Sequence, residues 1–386
     1  MSIGDELIER ARGLAPIFAE RAQRTEEKRS LPDESVQELI DSGMLATLTP
    51  RIYGGHELDV DVTVEIAKII SAACPSTGWV LSFYMGAPWR VNIFSERAQR
   101  EVFANKPYML NSGQAAPVRE TRKVPGGYRI TGQAAWSSGS VHAEWIVFAG
   151  IVREEGQPPV SMTFLVPRAE TELVDSWFSA GMRGTGSNDM RVYDVFVPGY
   201  RATPFQTVLE GDAAGQAIHS NPMYRRPFIP FCMCEVVPVV VGIMRGAATA
   251  FVQRTRERQG TISGIKAAAK QLPQVRMAQG LAAAEAAEKL LDSYLARFMA
   301  QKSEQSNLIE RAEMKLRAAY ITDLCRNAVN ELARGFGGDG FRNHSPLQRF
   351  FRDINMLAVH AFLDIDTAAE SFGRLMLGQS VDDPLL

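Results

Sequence analysis

The first hundred residues carry hydrophobic positions at the spacing of an α-helix. Apolar residues recur every three or four positions on one face, at Leu7, Ala11, Leu14 and Phe18. Pro32 stands where a second helix should begin and Gly43 where it should end, because proline suits a first turn and glycine a C-terminal cap. The pattern predicts a helical domain over residues 1–106.

The pattern changes near Pro107. Short segments rich in β-branched and aromatic residues follow, separated by glycine or proline: GYRITGQAAW, EWIVFAGIV, SMTFLVPR and MRVYDVFVP. Such segments are typical of β-strands joined by turns. We therefore predict a β domain over residues 107–205.

The helical period returns at about Phe228. The stretch AAAEAAEKLLDSYLARFM has high intrinsic helix propensity. Further along, apolar residues recur every four positions, at Leu316, Tyr320, Leu324, Ala328 and Leu332. Long helices with apolar stripes and few breaks predict a helical bundle, which we assign to residues 206–386.

The composition narrows the class of protein. Of the 386 residues 46% are hydrophobic, and 42 basic residues nearly balance 44 acidic ones. This balance gives no support to nucleic-acid binding, which usually needs a basic patch. The N-terminal segment MSIGDELIERARG has no leader-like apolar run, and the run Val236–Met244 is too short to span a bilayer. We expect a cytoplasmic protein without a membrane partner.

Cysteines offer no framework for disulfides or metals. The four of them, at positions 74, 232, 234 and 325, are few and scattered. Cys232 and Cys234 lie close together, but no second Cys or His pair stands at ligand spacing. Buried free cysteine is the ordinary interpretation, and no metal site is expected.

Three motifs occur in an order that resembles a known family. GMRGTGSNDMRVYDVFVP begins at Gly181, RERQG at Arg256 and GGDGFRNHSPLQRFFRD at Gly337. They resemble the Gly-x-Arg-Gly-Ser/Thr segment, the Arg-x-x-Phe-Gly element and the Gly-rich loop of the acyl-CoA dehydrogenases, with Gln259 in place of the usual Phe. The resemblance covers nearly the whole chain and implies an α+β protein of the acyl-CoA dehydrogenase fold. That fold has an N-terminal helical domain, a central β domain and a C-terminal four-helix bundle, and it usually forms homotetramers.

The catalytic base of those dehydrogenases is missing from its usual place. In the family a glutamate follows the Arg-Asp step and removes the α-proton of an acyl-CoA thioester. An ungapped count from Arg352 and Asp353 reaches Ala361 at that position, with His360 beside it. Alanine cannot accept a proton, so an acyl-CoA dehydrogenase would need its base elsewhere in the chain.

Five segments resemble another branch of the same fold. RAQRTEEKRSLPDESVQELIDSGM, ACPSTGWV, WSSGSVHAEW, GMRGTGSN and the late VHA are similar to segments of flavin-dependent monooxygenases. These are the oxygenase components of two-component systems, such as 4-hydroxyphenylacetate 3-hydroxylase and the 3-hydroxy-9,10-secosteroid hydroxylases. The chain is identified as a member of this branch.

The resemblance implies a definite chemistry. A separate flavin reductase supplies reduced FMN or FAD, O2 is the co-substrate, and a flavin C4a-hydroperoxide hydroxylates a small aromatic substrate, for which a phenol is the expected class. A phenol attacks better as phenolate, and histidine suits the task of base because its ordinary pKa of about 6.5 lies near working pH. We expect His360 to be this catalytic base. Ser112, in LNSGQAAP, is the candidate hydroxyl toward the peroxide.

The resemblance also implies positions for the cofactor. One strand end should lie along the flavin ring, and a Gly-rich loop, an arginine and a second Gly-rich loop should meet its ring carbonyls, phosphates or adenosine. The expected cofactor-binding residues are Trp136, Ser137, Ser138, Gly139, Arg183, Thr185, Ser187, Arg256, Gly337 and Gly338.

The expected substrate pocket departs from the phenol hydroxylases. In those enzymes a histidine-bearing helix follows Ser-Thr-Gly-Trp, whereas APWRVNIF stands here, with Ala87 and Arg90 at the histidine positions. Trp89 and Arg90 are the substrate-binding candidates, and Arg90 suits an anionic group. An N-hydroxylase of an amine, an acyl-CoA dehydrogenase with a relocated base and a flavin-binding scaffold without turnover remain alternatives.

Overall fold

A computed structural model gives the structure of the protein over residues 1–260, 264–301, 307–383 and 386. Its N-terminal part contains five helices: α1 (Ile3–Lys28), α2 (Asp33–Asp41), α3 (Val60–Ala73), α4 (Pro75–Val91) and α5 (Glu96–Val102). Leu7, Ala11 and Phe18 are buried, which confirms the predicted apolar face of α1. Helix α2 begins directly after Pro32. Gly43, beyond the end of this helix, has a φ of +77°, the left-handed conformation expected of a glycine that ends a helix.

Eight strands follow: β1 (Asn111–Pro117), β2 (Glu120–Val124), β3 (Gly127–Ser137), β4 (Trp145–Val152), β5 (Val160–Pro167), β6 (Glu172–Val174), β7 (Asn188–Pro198) and β8 (Ala202–Pro204). They form one sheet in the order β1-β4-β5-β8 and another in the order β2-β3-β7-β6. The β1–β4 pair is parallel and every other strand pair is antiparallel. Alternate residues of both sheets meet in a shared core that includes Ile130, Phe148, Phe164 and Met190, so the domain is a β-sandwich.

The remaining helices are α6 (Phe205–Leu209), α7 (Phe228–Glu257), α8 (Gln271–Ala300), α9 (Leu308–Ala333), α10 (Pro346–Leu357) and α11 (Ile365–Met376). The long helices α7, α8 and α9 pack on one another, α11 packs against α9, and α10 packs against α7 and α9. The architecture is the expected α+β one, with helices, a β domain and a helical bundle. Domain limits at residues 106 and 205 stay predictions.

Helix α7 is more apolar than the sequence pattern suggested. The run Val236–Met244 lies inside this helix of 30 residues, so the helix, unlike the run alone, is long and apolar enough to cross a membrane. Yet 89% of its most apolar window is buried inside the protein. It packs against α3, α4, α8, α9 and α10, and a helix surrounded on all sides is apolar all round.

The buried face of α9 differs from the predicted stripe. Tyr320 is 54% exposed, whereas Ala318, Ile321, Cys325 and Val329 are buried. A strict four-residue repeat drifts around a helix that has 3.6 residues per turn, so the sequence pattern identified the helix but not its inner face.

Candidate functional site

His360 lies in a turn directly after α10. Its backbone N–H donates to Leu357 O, and the N–H of Leu363 donates to its carbonyl oxygen, so both sides of the residue are fixed. The imidazole packs edge-on against Trp79, with ring centroids 5.6 Å apart, and 5.4 Å from the ring of Phe362. Burial among these groups lowers the pKa of His360 to about 4, so the ring is neutral at physiological pH.

The hydrogen bond of the imidazole sets its tautomer. The backbone N–H of Phe362 donates to Nδ1 of His360 over 3.3 Å. Nδ1 therefore holds the lone pair, and the single proton of the neutral ring lies on Nε2. In this state His360 offers an N–H donor at its free edge.

A chain of hydroxyl groups runs from Trp79 into the Gly-rich loop. Nε1 of Trp79 donates to Oγ of Ser138 over 3.0 Å, and Ser138 Oγ lies 2.8 Å from Ser187 Oγ. Ser187 Oγ lies 2.6 Å from Thr185 Oγ1, which donates to the carbonyl of Met182 over 2.9 Å. We call Ser138, Ser187 and Thr185 the hydroxyl chain. Because Trp79 touches both His360 and Ser138, the structure brings these predicted residues into one connected group.

Thr185 and Ser187 are almost completely buried, at 1% and 3% exposure, whereas Ser138 is half-buried. Their hydroxyls are hydrogen-bonded within the chain. Ser138 is therefore the member best placed to meet a ligand.

The strand end around Trp136 has a strained conformation. Trp136 has a φ of +64°, which is uncommon for a residue other than glycine, and its side chain is 71% exposed. Ser137, beside it, is buried. Gly139 has a φ of +73°, and a Cβ there would lie 2.8 Å from the hydroxyl of Tyr84, which donates to the Gly139 carbonyl. Glycine at 139 is thus required by the fold of the strand end itself.

Ser112 is buried in β1 with an unpaired hydroxyl. The residue is 2% exposed, and its Oγ has no hydrogen-bond partner within the described ranges. A buried hydroxyl without a partner is costly, so such a group commonly marks a ligand or an ordered water. This is the property expected of a hydroxyl that awaits a polar ligand.

Two of the family motifs contact each other directly. Oδ1 of Asp353 in α10 accepts from the backbone N–H of Met182 over 2.5 Å, and Arg352 donates to the carbonyl of Ala180. A Cβ at Gly181 would lie 2.5 Å from the carbonyl oxygen of Arg352. The Arg-Asp step therefore holds the Gly-rich loop against α10, seven residues before His360.

Glu26 of α1 fixes α10 from the other side. Its carboxylate accepts from Arg349 over 3.0 Å and from Arg352 over 2.6 Å, and Glu26 and Arg349 are buried. Burial also raises the pKa of Asp353 to about 7, although both arginines act in the opposite direction. The turn with His360 thus follows a helix that is hydrogen-bonded to two other elements.

Arg183 is exposed, and in the described parts of the chain it makes no hydrogen bond or ion pair. Arg256, near the end of α7, is likewise exposed and unpaired within those parts. The second Gly-rich loop is instead held by other arginines. Arg254 donates to Phe336 O and pairs with Asp339, and a Cβ at Gly337 would lie 2.4 Å from the guanidinium of Arg258.

The two neighbouring glycines Gly337 and Gly338 have different roles in this loop. Gly337 has a φ of +63°, whereas a Cβ at Gly338 would meet nothing within 4 Å. Gly337 is needed for the conformation of the loop, and Gly338 leaves its surface open.

The two substrate-binding candidates have partners in the protein. Trp89 is 1% exposed, donates to Met223 O and stacks on Phe231 at 4.0 Å, so it belongs to the core. Arg90 forms an ion pair with the buried carboxylate of Glu235. Neither residue therefore presents a free group to a substrate in this conformation.

Arg90 nevertheless lies close to the aromatic residues that pack around His360. Its guanidinium is 5.6 Å from the centre of the Phe83 ring, which packs edge-on against Trp79 at 5.1 Å. Oε2 of Glu235 has no partner within the described residues, and burial raises the pKa of this carboxyl to about 7. The Phe83 ring thus lies between the Arg90–Glu235 pair and Trp79, the residue that packs against His360.

Sequence reasoning missed the residues that connect the site. Trp79 stood within the quoted ACPSTGWV segment, yet its bond to Ser138 spans 59 positions, and the contact of Arg90 with Glu235 spans 145. The signal that could have identified Trp79 is its place in a family-like segment. Nothing in the local pattern pointed to Glu235.

These residues fit a reduced flavin. The unpaired, buried Ser112 hydroxyl, the half-buried Ser138 and the strained, exposed Trp136 offer polar and planar contacts of the kind that a heteroaromatic ring accepts. Exposed and unpaired Arg183 is a donor for carbonyl or phosphate oxygens.

Comparison with known proteins agrees with the fold. Sequence models of the acyl-CoA dehydrogenase family match the chain in two parts, the N-terminal domain over residues 6–106 and the C-terminal domain over residues 235–365. A pigment production hydroxylase from Rhodococcus sp. (strain ATCC 21145) is 62% identical, over 99% of this chain and 98% of its own.

Two further relatives are described by their cofactor or reaction. The oxygenase component of an FADH2-dependent resorcinol hydroxylase from Rhizobium sp. (strain MTP-10005) is 31% identical, over 96% of this chain and 94% of its own. The crystal structure of the HsaA monooxygenase from M. tuberculosis has a TM-score of 0.91 at 32% identity and covers 99% of this chain and 100% of that one.

The fold and the family matches define a flavoprotein of the acyl-CoA dehydrogenase fold. Within that fold the chain belongs to the flavin-dependent monooxygenases. It is the oxygenase component of such an enzyme, and its cofactor is a reduced flavin. This confirms the family predicted from the sequence and leaves the dehydrogenase alternative without support.

Proposed function

We propose that the protein hydroxylates a small aromatic, phenolic substrate with O2 and reduced FMN or FAD from a separate flavin reductase. One observation carries the proposal: a neutral histidine, His360, packs against the aromatic rings of Trp79 and Phe362, and Trp79 links it to the hydroxyl chain. Aromatic walls of this kind suit a planar apolar substrate. The flavin-dependent resorcinol hydroxylase among the relatives supports a phenol as the substrate class.

Bound reduced flavin supplies the means of activating O2, while the chain provides contacts and excludes water. The flavin ring would be held by Trp136, Ser137, Ser138 and Gly139. Ser112 would donate a hydrogen bond from its hydroxyl to an oxygen atom near the ring. Arg183 would meet ring carbonyls or phosphates.

Contacts at the far end of the cofactor are part of the same proposal. Arg256 and the Gly337–Gly338 loop would meet its phosphates or adenosine. Thr185 and Ser187 act on the cofactor through Ser138, because their own hydroxyls are buried and bonded to one another.

His360 is the group proposed to meet the phenol oxygen. The sequence suggested a base, which needs a free ring nitrogen. In the tautomer found here Nδ1 accepts from Phe362, so Nε2–H donates to the oxygen of a substrate whose proton has been released to solvent, and this bond stabilises the phenolate. Acting as a base at Nε2 would first require the proton to move to Nδ1 and the Phe362 bond to break.

The substrate-binding role of Arg90 becomes an indirect one. Arg90 and Glu235 form a buried charged pair behind Phe83, and we propose that this pair supports the wall of the substrate site. Trp89 is proposed to support it from the core by stacking on Phe231.

The partners follow from the proposed reaction. A flavin reductase delivers the reduced cofactor by diffusion, and a location in the cytoplasm is compatible with that supply. We also propose a homotetramer, as is usual for this fold.

A coupled assay tests the proposal. The protein, a generic flavin reductase and a panel of phenols, each matched with its O-methyl ether, are analysed for products that gain one oxygen atom. The proposal predicts hydroxylated phenols and unreacted ethers, because an ether cannot form phenolate.

Two results would count against it. Equal hydroxylation of phenols and ethers would exclude the role of His360 toward phenolate. Reduction of bound oxidised flavin by an acyl-CoA, with no oxygenated product across the panel, would favour the dehydrogenase alternative.

A further inference from the structure

Helix α4 is buried along nearly its whole length and has one accessible side. It packs against α1, α3, α7 and β1, and of its 17 residues Phe83 and Arg90 alone are partly accessible. These two residues are seven positions apart, which places them two turns apart on the same side of the helix. Trp79, four positions before Phe83, shares that side and packs against both Phe83 and His360. We call Trp79, Phe83 and Arg90 the α4 face.

The α4 face joins an apolar end to a charged end. Trp79 and Phe83 present aromatic rings beside His360, and the ring of Phe362 packs on the other side of that histidine. Arg90 follows, with its guanidinium 5.6 Å from the centre of the Phe83 ring. An aromatic ligand that packs beside His360 would therefore extend along this face toward Arg90.

The charge of Arg90 is neutralised by Glu235 of α7. The two side chains form an ion pair in which Glu235 is 4% exposed. Nη2 of Arg90 also donates to Phe83 O over 2.5 Å, so the guanidinium is held from two sides. Burial raises the pKa of Glu235 to about 7 although Arg90 acts in the opposite direction, so at about pH 8 the carboxyl is ionised in most molecules.

Space for this ion pair is built into the sequence of α4. A Cβ at Gly86 would lie 1.8 Å from Oε1 of Glu235 and 3.1 Å from Nη1 of Arg90. Glycine weakens a helix interior relative to alanine, yet any other residue at 86 would displace the carboxylate. The pair is thus a fixed part of the contact between α4 and α7.

We propose that Glu235 is a specificity-determining residue, which makes the site select uncharged aromatic substrates over aromatic carboxylates. An arginine without a partner would bind a carboxylate through two parallel hydrogen bonds. With Glu235 in place the charge of Arg90 is already answered, and an anion beside it would be repelled by the carboxylate of Glu235. The inference rests on the proposed function, because it takes the α4 face beside His360 as the substrate site.

The test is equilibrium binding of matched ligands, under nitrogen and at about pH 8, to the protein with reduced FMN or FAD. One pair is para-hydroxyphenylacetamide and para-hydroxyphenylacetate, and the other is the propionamide and propionate, which are one methylene longer. The members of each pair differ in charge but hardly in shape. In wild type we expect the amide of at least one pair to bind about tenfold more tightly than the carboxylate.

Glu235→Gln keeps the size of the side chain and an acceptor for Arg90 but removes the negative charge. We expect the ratio of dissociation constants, carboxylate over amide, to fall at least about tenfold, because a charge-assisted hydrogen bond from Arg90 becomes available to the ligand. Glu235→Met also frees Arg90 and carries the same expectation, so it replaces the glutamine variant if that one does not fold.

A double variant separates the charge of Arg90 from other effects of the change at Glu235. Arg90→Gln together with Glu235→Gln removes both charges, so the ratio should return to within about threefold of wild type. Asp383→Asn is the matched control. It takes the negative charge from the buried Lys315 of α9 and should leave the ratio unchanged.

Three results would overturn the inference. They are an equal ratio in wild type and both single variants at Glu235, an equal fall in Asp383→Asn, and tighter binding of the carboxylates than of the amides by wild type. Failure of every ligand to bind would also overturn it, since the α4 face would then not be the substrate site. Binding is measured without turnover, whereas the proposed function fails on the absence of hydroxylated product, so the two failures are distinguishable.

Discussion

At the scale of single residues, the neutral state of His360 makes a prediction about stability and pH. The pKa of about 4 in the folded protein lies below the ordinary value of about 6.5, so the unfolded chain binds a proton more readily. The contribution of His360 is fully present above pH 6.5 and is lost as pH falls from 6.5 to 4. The loss amounts to up to about 3 kcal/mol in the free energy of unfolding.

Urea unfolding of wild type and His360→Gln across pH 4–7.5 measures this difference. The stability of wild type relative to the variant should fall as pH drops from 6.5 to 4. Glu235 and Asp353, whose pKa values are raised, titrate in both proteins, so their effects cancel in the comparison. A difference between the two proteins that does not change with pH would show that His360 is not held neutral by the fold.

Ser112 makes a second residue-scale prediction. Its hydroxyl is buried and has no partner in the described part of the chain, so Ser112→Ala should leave the free energy of unfolding unchanged or raise it. The coupling of O2 consumption to product formation should fall in this variant, with more hydrogen peroxide released per molecule of product. Ser140→Ala is the matched control, because the buried Ser140 hydroxyl donates to Gly186 O and its loss should cost about 1 kcal/mol.

Chemical denaturation and peroxide assays of both variants check this. A large loss of stability in Ser112→Ala would mean that its hydroxyl has a structural partner. Unchanged coupling of oxygen use to product would remove Ser112 from the proposed site.

Single residues also show how far sequence reasoning extends. The segment containing Ser138, the Gly-rich loop and His360 could be proposed for the site because local motifs mark them. Their connection through Trp79 was not found, since it depends on packing between elements distant in the chain. Arg90 was assigned to the substrate for the same reason, because its partner Glu235 lies on another helix.

At the scale of elements, the attachment of α10 to α1 positions the turn with His360. Glu26→Gln should lower the free energy of unfolding by about 3 kcal/mol or more, because Arg349 would remain buried without its counter-charge. Glu9→Gln, also on α1, is the matched control. Its pair with Arg12 is exposed, and its loss should cost less than about 1 kcal/mol.

Thermal or urea unfolding of the two variants provides the measurement. Similar small losses in both would show that the Glu26 contacts do not hold α10. Weaker binding of substrate in Glu26→Gln alone is the further expectation, because α10 leads into the His360 turn.

Helices and strands were predicted well where the hydrophobic periodicity extends over many residues. The N-terminal helices and the strand-rich centre agree with the structure, because periodicity and turn residues act locally. The parallel pairing of β1 with β4 and the inner face of α9 did not follow from the pattern. Both are decided by contacts with distant parts of the chain.

At the scale of the whole molecule, the proposed homotetramer is testable by mass. Sedimentation at micromolar concentration should give a species of four chains, each of 42.6 kDa. Exposed apolar side chains such as Tyr193, Leu377 and Val359 are available to be covered by other copies. A single-chain mass at every concentration would contradict the proposal.

The central claim is that the protein inserts oxygen from O2 into an aromatic ring with reduced flavin as its only other requirement. The most direct measurement supplies chemically reduced flavin and isotopically labelled O2, without any reductase, and follows the mass of the phenol. We predict one labelled oxygen in the product and its loss in His360→Gln at equal flavin binding. Label found only in hydrogen peroxide and water, across a broad panel of phenols, would contradict the account.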